Sequence, residues 1–317
     1  MTGIMGRLIA VVGPTGAGKS ALGLRLAERL HAGIACCDSV QVYRGFDIGS
    51  AKPSAEDRRR IRHRLVDVCD PEDPWTAGDH GQALVEHAHA RAPWICVGGT
   101  GFYLRSAVWA LDSPPPEDQD LARRSAFDAK WLAHERAEEG AVHRALSAVD
   151  PDTACEIHPR NVVRAMRALW LCEIHGEPVS QRRRRHPPTR RLDLLLIEVD
   201  PGVEEVDQRI DARCDQMVAA GWIDEVEMLR NQGYDAHLRP MQSLGYKQIN
   251  EHLAGRGDLA STVDDIKSAT RAYARRQRTF FRHQFPEATT LRISGGSPQD
   301  LETAVDASQR FLDGAPK

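Results

Sequence analysis

The 317 residues carry 42 Lys and Arg against 45 Asp and Glu, a formal charge of −3, with 41% hydrophobic side chains. That length can bury one large core or two smaller ones, and the near-neutral sum announces no nucleic-acid binder while leaving room for strong local fields. No apolar run approaches a membrane span, Met1 to Arg7 leads straight into the first strand without room for a signal peptide, and the seven scattered cysteines include no C-x2-C pair for zinc. A soluble, cytoplasmic chain with reduced thiols is expected.

Leu8 to Val12 reads as the first strand. It runs into Gly13-Pro14-Thr15-Gly16-Ala17-Gly18-Lys19-Ser20, and Leu22, Leu26 and Leu30 then recur at helical spacing. Strand, glycine loop and helix are the context that a G-x-x-x-x-G-K-[ST] match requires. The glycines let backbone N–H groups turn inward, the helix N-terminus and Lys19 add positive charge, and Ser20 can hold Mg²⁺. A polyphosphate binds here; the loop alone leaves open whether it is a nucleotide or another phosphate ester.

Ile34 to Cys37 reads as a second buried strand, with Cys36 and Cys37 on opposite faces, ending in Asp38-Ser39-Val40-Gln41-Val42-Tyr43. Strands of a doubly wound sheet share one carboxyl edge, which sets Asp38 beside the phosphate loop. The loop Gly45 to Pro53 carries Lys52. Arg64 to Val68 reads as a further strand, and turn chemistry from Asp70 to Thr76 leads into a helix over Ala77 to Arg91. Trp94 to Val97 is the next buried strand, and Gly98-Gly99-Thr100-Gly101-Phe102-Tyr103 forms a second backbone-lined wall before a helix over Tyr103 to Leu111. That strand ends in glycines and threonine rather than in the acid of a phosphate-hydrolysing motor. Asp38 is the one acid well placed at the edge, so the site suits group transfer.

Composition shifts at Ser113-Pro114-Pro115-Pro116-Glu117, and helical, charged text continues to about Arg191. It reads as an all-helical subdomain, 114–191, inserted between core segments 1–113 and 192–317. Its second half is basic, with Arg160, Arg164 and Arg167 at helical spacing and a run from Arg182 to Arg185, which favours a phosphate-backbone surface. A buried strand, Leu192 to Val199, is followed by helices over Val203 to Ala220 and Ile223 to Asn231 and by the loop-helix Met241 to Lys247. From Lys267 to Arg282, six basic residues interleave with Tyr273, Phe280 and Phe281 and no acid intervenes, a pattern suited to unstacked bases. A strand over Thr290 to Ile293 and a helix over Gln299 to Leu312 close the α/β fold, a P-loop NTPase-like parallel sheet.

An acid beside a phosphate cradle repels phosphate, so Asp38 is expected to accept a proton or hydrogen bond from the nucleophile. The diphosphate is then the leaving group, its charge met by Lys19, the loop amides, Mg²⁺ on Ser20 and an arginine. The phosphate loop, Asp38 to Tyr43, Gly49-Ser50-Ala51-Lys52-Pro53, Val97 to Tyr103, Leu244-Gly245-Tyr246-Lys247 and Tyr273 to Arg282 together resemble the tRNA dimethylallyltransferase (tRNA isopentenyltransferase) family. These motifs fall in the family's order across almost the whole chain.

The resemblance implies transfer of a dimethylallyl group from dimethylallyl diphosphate to N6 of adenosine 37, in tRNAs reading codons that begin with U. It implies a P-loop core, a helical insertion and a channel between them, into which the adenosine is flipped from the anticodon stem-loop. Asp38 is implied as general base, Thr100 and Arg213 as assistants at the diphosphate with Lys19, and Gly13 to Ser20 as its cradle. Implied tRNA contacts are Asp38, Ser39, Val40, Gln41, Thr100, Arg123, Arg160, Asn161, Arg164, Gln242, Gly245, Tyr246, Lys247, Arg275, Arg276, Gln277, Arg278 and Arg282. The enzyme is expected to act as a monomer, away from membranes. The chain departs from the family at Trp75-Thr76-Ala77, where Tyr-Ser-Ala is usual, at Phe280 in place of Trp, and at Asn161, where an arginine is common. Two rivals share the phosphate loop: a transferase using free AMP, ADP or ATP, and a small-molecule kinase with Asp38 as base. The first has no need of the basic segments.

Overall fold

A computed structural model describes residues 6–90, 92–110 and 121–314. The chain divides into two compact units, Met1–Trp109 with Arg190–Lys317, and Ala110–Thr189. In the larger unit, the described residues form one parallel sheet of six strands: β1 (Gly6–Val12), β2 (Gly33–Cys37), β3 (His63–Arg64), β4 (Trp94–Gly98), β5 (Leu192–Val199) and β6 (Thr289–Ile293). The order β3-β2-β4-β1-β5-β6 puts β1 in the interior, paired with β4 on one side and β5 on the other. The loop leaving β1 is therefore flanked by neighbouring strand ends, where parallel sheets place their ligands.

Alternate residues of β1 serve two cores. Ile9 and Val11 pack with α1 (Lys19–Arg29) on one face, while Leu8, Ala10 and Val12 pack with α3 (Ala77–Ala88) and α4 (Gly101–Val108) on the other. Cys36 and Cys37 divide between the same two faces, and all seven cysteines are free. Thr76 caps α3 in a reciprocal box with Asp79. Between β2 and β3 lies α2 (Ala55–Arg60).

The third strand is shorter than Arg64 to Val68. Leu65 and Asp67 take left-handed φ angles of 61° and 55°, which ends the ladder after Arg64. The turn delivers the Asp67 carboxylate to Lys52 at 2.6 Å and to Arg58 at 2.7 Å. The helix expected over Tyr103 to Leu111 begins two residues earlier and ends at Val108, because Trp109 turns extended to bridge Arg190. Residues Arg91, Leu111 and the shift at Ser113 to Glu117 lie outside the described residues.

In the smaller unit, α5 (Leu121–Ala137), α6 (Ala141–Val149), α7 (Pro151–Cys155), α8 (Val162–His175) and α9 (Val179–Arg185) share a core that includes Phe127, Val142, Leu146, Leu169 and Trp170. Buried Asp150 caps α7 through Thr153 and also accepts from Ser180 N at 2.9 Å.

The larger unit continues with α10 (Val203–Ala219), α11 (Trp222–Asn231), a 3₁₀ turn (Pro240–Gln242), α12 (Tyr246–Leu253), α13 (Leu259–Gln284) and α14 (Pro298–Asp313). Buried Glu225 of α11 organises the glycine loop after β2. Its carboxylate accepts from the backbone of Asp47 (2.9 Å), Ile48 (2.6 Å) and Gly49 (3.2 Å) and from the Tyr246 hydroxyl (2.7 Å). A Cβ on Gly49 would stand 1.9 Å from Trp222 Nε1, so the loop needs glycine to approach α11. Glu225→Ala leaves three part-buried N–H groups without their acceptor and is expected to cost roughly 3 kcal/mol, against about 1 kcal/mol for Tyr246→Phe. Urea denaturation of both variants measures this, and a Glu225→Ala cost at or below that of Tyr246→Phe would contradict the anchoring role.

Candidate active site

The phosphate loop is shaped by close approach. Gly13 has φ 141°, and a Cβ there would meet Val199 O at 2.2 Å, so only glycine lets the chain turn off β1 beside β5. A Pro14–Ala17 turn follows, and α1 starts at Lys19 with its first-turn N–H groups free of intrahelical partners. Lys19 Nζ donates to Pro14 O at 2.7 Å and lines a cavity of about 710 Å³, as do Thr15, Gly16, Gly18 and Ser20. Burial, followed by the Arg213 guanidinium, lowers the Lys19 ammonium to about 7, while Asp38 opposes that fall.

Asp38 emerges at the end of β2 into the same cavity. Its Oδ1 accepts from Val40 N at 2.8 Å and Gln41 N at 3.2 Å, which fixes the plane of the carboxylate. Thr100 stands one step back. Its Oγ1 accepts from Ser39 N at 3.1 Å, its N–H donates to Cys37 O at 3.1 Å, and Ser39 and Gly99 form the wall in front. Arg213 of α10 completes the charged end; burial lowers its pKa and Asp38 raises it. The cavity also has apolar lining, including Leu24, Ile34, Met217, Trp222 and Leu244. One space thus joins an anion cradle, a carboxylate and an apolar chamber.

Sequence reasoning named Lys19, Asp38, Thr100 and Arg213, gave Tyr273 only to a base-stacking pattern and missed Arg209; both Tyr273 and Arg209 are lining residues. Arg209 lies one helical turn before Arg213; it donates to Ala17 O at 3.3 Å and pairs with Glu205. Tyr273 lies against Thr100 and Gln277, and burial with nearby Asp38 pushes its phenol up to about 12, so it stays a hydrogen-bond donor. Each was visible as a residue four positions from a named one, on the same helix face.

The expected nucleic-acid contacts divide. On α13, Lys267, Arg271 and Arg275 pair with Asp215 (2.6 Å), Asp211 and Asp207 (2.7 Å) of α10, and Arg278 grips Asp200 through two bonds of 2.6 Å. The basic run is therefore substantially neutralised rather than an open phosphate surface. Arg276, 5.8 Å over the Tyr273 ring, and Arg282 are exposed. Gln277 is buried between the two glycine loops. Gly245 and Tyr246 are interior instead of surface contacts: a Cβ on Gly245 would reach Trp222 at 2.1 Å, and the Tyr246 hydroxyl serves Glu225. Gln242 and Lys247 are exposed, and Gln242 Nε2 donates to Ala236 O at 2.6 Å. Gln41 Nε2 holds Ser50 O and Ala51 O, and Val40 packs on the core.

In the smaller unit, Arg123 pairs with Glu173 at 3.7 Å and covers Trp170, while Arg160 and Arg164 are exposed. Arg160 precedes α8, so Arg160, Arg164 and Arg167 do not form one helical stripe. Asn161 is the α8 N-cap, accepting from Arg164 N at 3.3 Å. The run from Arg182 to Arg185 forms most of α9 and pairs with Glu177, Glu156 and Asp152.

A family model described as IPP transferase matches residues 41–284, and one described as isopentenyl transferase matches residues 6–68. A tRNA dimethylallyltransferase of Solibacter usitatus is 39% identical over 311 residues, covering 96% of this chain and 99% of that protein. Another, from Geobacter metallireducens, is 42% identical over 285 residues, or 87% and 89% of the two chains. The crystal structure of the tRNA isopentenylpyrophosphate transferase of Bacillus halodurans is similar at TM-score 0.66, with 30% identity and 97% of each chain covered. A eukaryotic dimethylallyltransferase acting on tRNA shares the fold at TM-score 0.80, with 23% identity over 98% of this chain and 80% of its own.

Because Lys19 sits at about 7 and must be charged against an anion, diphosphate binding above that pH should draw a proton to it. At pH 8, calorimetry in buffers of different ionisation enthalpy should show up to about one more proton taken up by wild type than by Lys19→Arg. The wild-type excess should grow from about half a proton at pH 7 towards a full proton as the free ammonium loses its charge above that pH. Equal proton uptake in the two proteins would mean that Lys19 is already charged.

Proposed function

The chain belongs to the IPP transferase family, and from that premise we propose that it is a tRNA dimethylallyltransferase using dimethylallyl diphosphate and N6 of adenosine 37. Its substrates would be tRNAs that read codons beginning with U, met in the cytoplasm by a monomeric enzyme. One observation carries the chemistry: the phosphate loop with Lys19, the Asp38 carboxylate and an apolar chamber all line a single cavity.

The diphosphate lies along the loop amides and the start of α1, where Lys19 and Arg213 meet its charge. The apolar lining receives the dimethylallyl group and limits water that would otherwise capture it. N6 of adenosine attacks C1: the N–C bond forms, the C–O bond breaks, and its electron pair leaves on diphosphate. Asp38 accepts the N6 proton, held in plane by its bonds to Val40 N and Gln41 N. Thr100 and Tyr273 back the wall beside it.

Ser20 lines the cavity at the first turn of α1, and among the described residues no cluster of three or more His, Cys, Asp or Glu could hold a metal. That donor set fits Mg²⁺ held by one hydroxyl, diphosphate oxygens and water, the ion's usual manner. When bound, Mg²⁺ supplies charge neutralisation on the diphosphate. Among the described residues, no helix is long and apolar enough to cross a membrane.

Incubation with dimethylallyl diphosphate and tRNA, followed by mass spectrometry of the digested nucleosides, tests the reading. A dimethylallyl gain on one adenosine of tRNA is expected; gain only on free AMP, ADP or ATP would select the free-nucleotide transferase. Asp38→Ala should lower turnover by about 10²- to 10⁴-fold while tRNA affinity stays within about twofold. Normal turnover would remove the general base.

Charge pairing on α13 makes a separate prediction. Arg276→Ala and Arg282→Ala should each reduce the salt dependence of tRNA binding by about one phosphate contact. Arg278→Ala should instead act on stability, since its partner is Asp200. Gel-shift titrations across salt concentrations, with thermal melts, separate the two classes; equal slopes for wild type and both exposed-arginine variants would refute the division.

A further inference from the structure

Gln277 is buried within an arginine-rich turn of α13, and both ends of its amide act on the walls of the cavity. Oε1 accepts from Thr15 N in the phosphate loop at 2.8 Å, and Nε2 donates to Gly99 O, just beyond β4, at 2.8 Å. An N–H on one side and a carbonyl on the other leave a single orientation for the amide. A Cβ at residue 99 would lie 2.2 Å from Nε2, so glycine there is what admits the side chain.

The amide is fixed along α13 from both directions. Tyr273, one turn earlier, lies against Thr100 and Gln277 itself, and Phe281, one turn later, is buried in the sheet core. Thr15 N–H donates to Gln277 Oε1. With that N–H satisfied, the loop holds a conformation in which the amides opening α1 remain available to an anion. The two bridged loops follow adjacent strands, β1 and β4, so one side chain sets the spacing between the phosphate cradle and the wall that carries Thr100.

We infer that Gln277 is a positioning residue for the diphosphate, bracing the phosphate loop against the Gly99 loop, and not an RNA contact. The inference rests on the diphosphate site of the proposed function. Gln277→Met keeps the length of the side chain and removes both bonds. It should weaken binding of inorganic diphosphate by about tenfold while tRNA affinity changes by less than about twofold.

Gln277→Glu gives a second reading that needs only a folded protein. Its ionised form cannot donate to Gly99 O, whereas its protonated form can donate there and still accept from Thr15 N. The ratio of wild-type to Gln277→Glu diphosphate affinity should therefore narrow as the pH falls from 8 to 6. Wild-type protein that binds no diphosphate would overturn the phosphate-site reading itself. Wild-type binding with an unaffected Gln277→Met, a flat ratio for Gln277→Glu, or a Gln277→Met that loses tRNA and keeps diphosphate would each overturn only the role of Gln277.

Discussion

Lys19 and Arg213 are held in one partly enclosed cavity with the Asp38 carboxylate that acts on both of them, and the rest of the structure serves that confrontation of charges. Desolvation makes both cations expensive, which is why Lys19 falls to about 7 and Asp38 alone opposes the fall. In the proposed reaction a bound diphosphate would relieve that cost for both cations. The negative charge of Asp38 repels phosphate, which in the proposed reaction would leave the carboxylate for the incoming amine. Sheet order accomplishes this cheaply: β1, β2 and β4 end on one edge, so loop, carboxylate and glycine wall need no long excursions to meet.

Backbone proximity carries the precision. Val199 O crowds Gly13, Cys37 O lies 2.1 Å from where a Gly98 Cβ would stand, and Gln277 occupies the space beside Gly99. Side chains at these glycines would push the strand ends apart and with them the charges. Glu225 does comparable work at the next loop, collecting three backbone N–H groups on one buried carboxylate. The active site is thus held by polar contacts of high sequence separation as much as by apolar packing.

Much of the fold was legible because the signals were local. Apolar runs marked the buried strands β1, β2, β4 and β5, shorter mixed runs marked the more exposed β3 and β6, and the glycine loop marked the turn from β1 into α1. The third strand was overread because apolar spacing does not reveal the left-handed turns at Leu65 and Asp67. The basic stretch of α13 was overread for a different reason. Its acids are on α10, and the pairing of Lys267, Arg271 and Arg275 with Asp215, Asp211 and Asp207 appears only when the two helices run antiparallel. Tyr246 and Gln277 belonged to motifs assigned to RNA, yet their burial assigns their side chains to the protein's own loops. A residue's type and motif indicate chemistry, but only packing says which partner receives it.

The division between cations for the diphosphate and a carboxylate for the amine is tested most directly by a crystal structure with a non-reactive dimethylallyl diphosphate analogue and an anticodon stem-loop. The account predicts the diphosphate on the amides that open α1, from Gly18 to Ser20, with Lys19 and Arg213, and the adenosine N6 within hydrogen-bonding distance of Asp38. A complex with the amine out of reach of Asp38, or the diphosphate away from the phosphate loop, would contradict it.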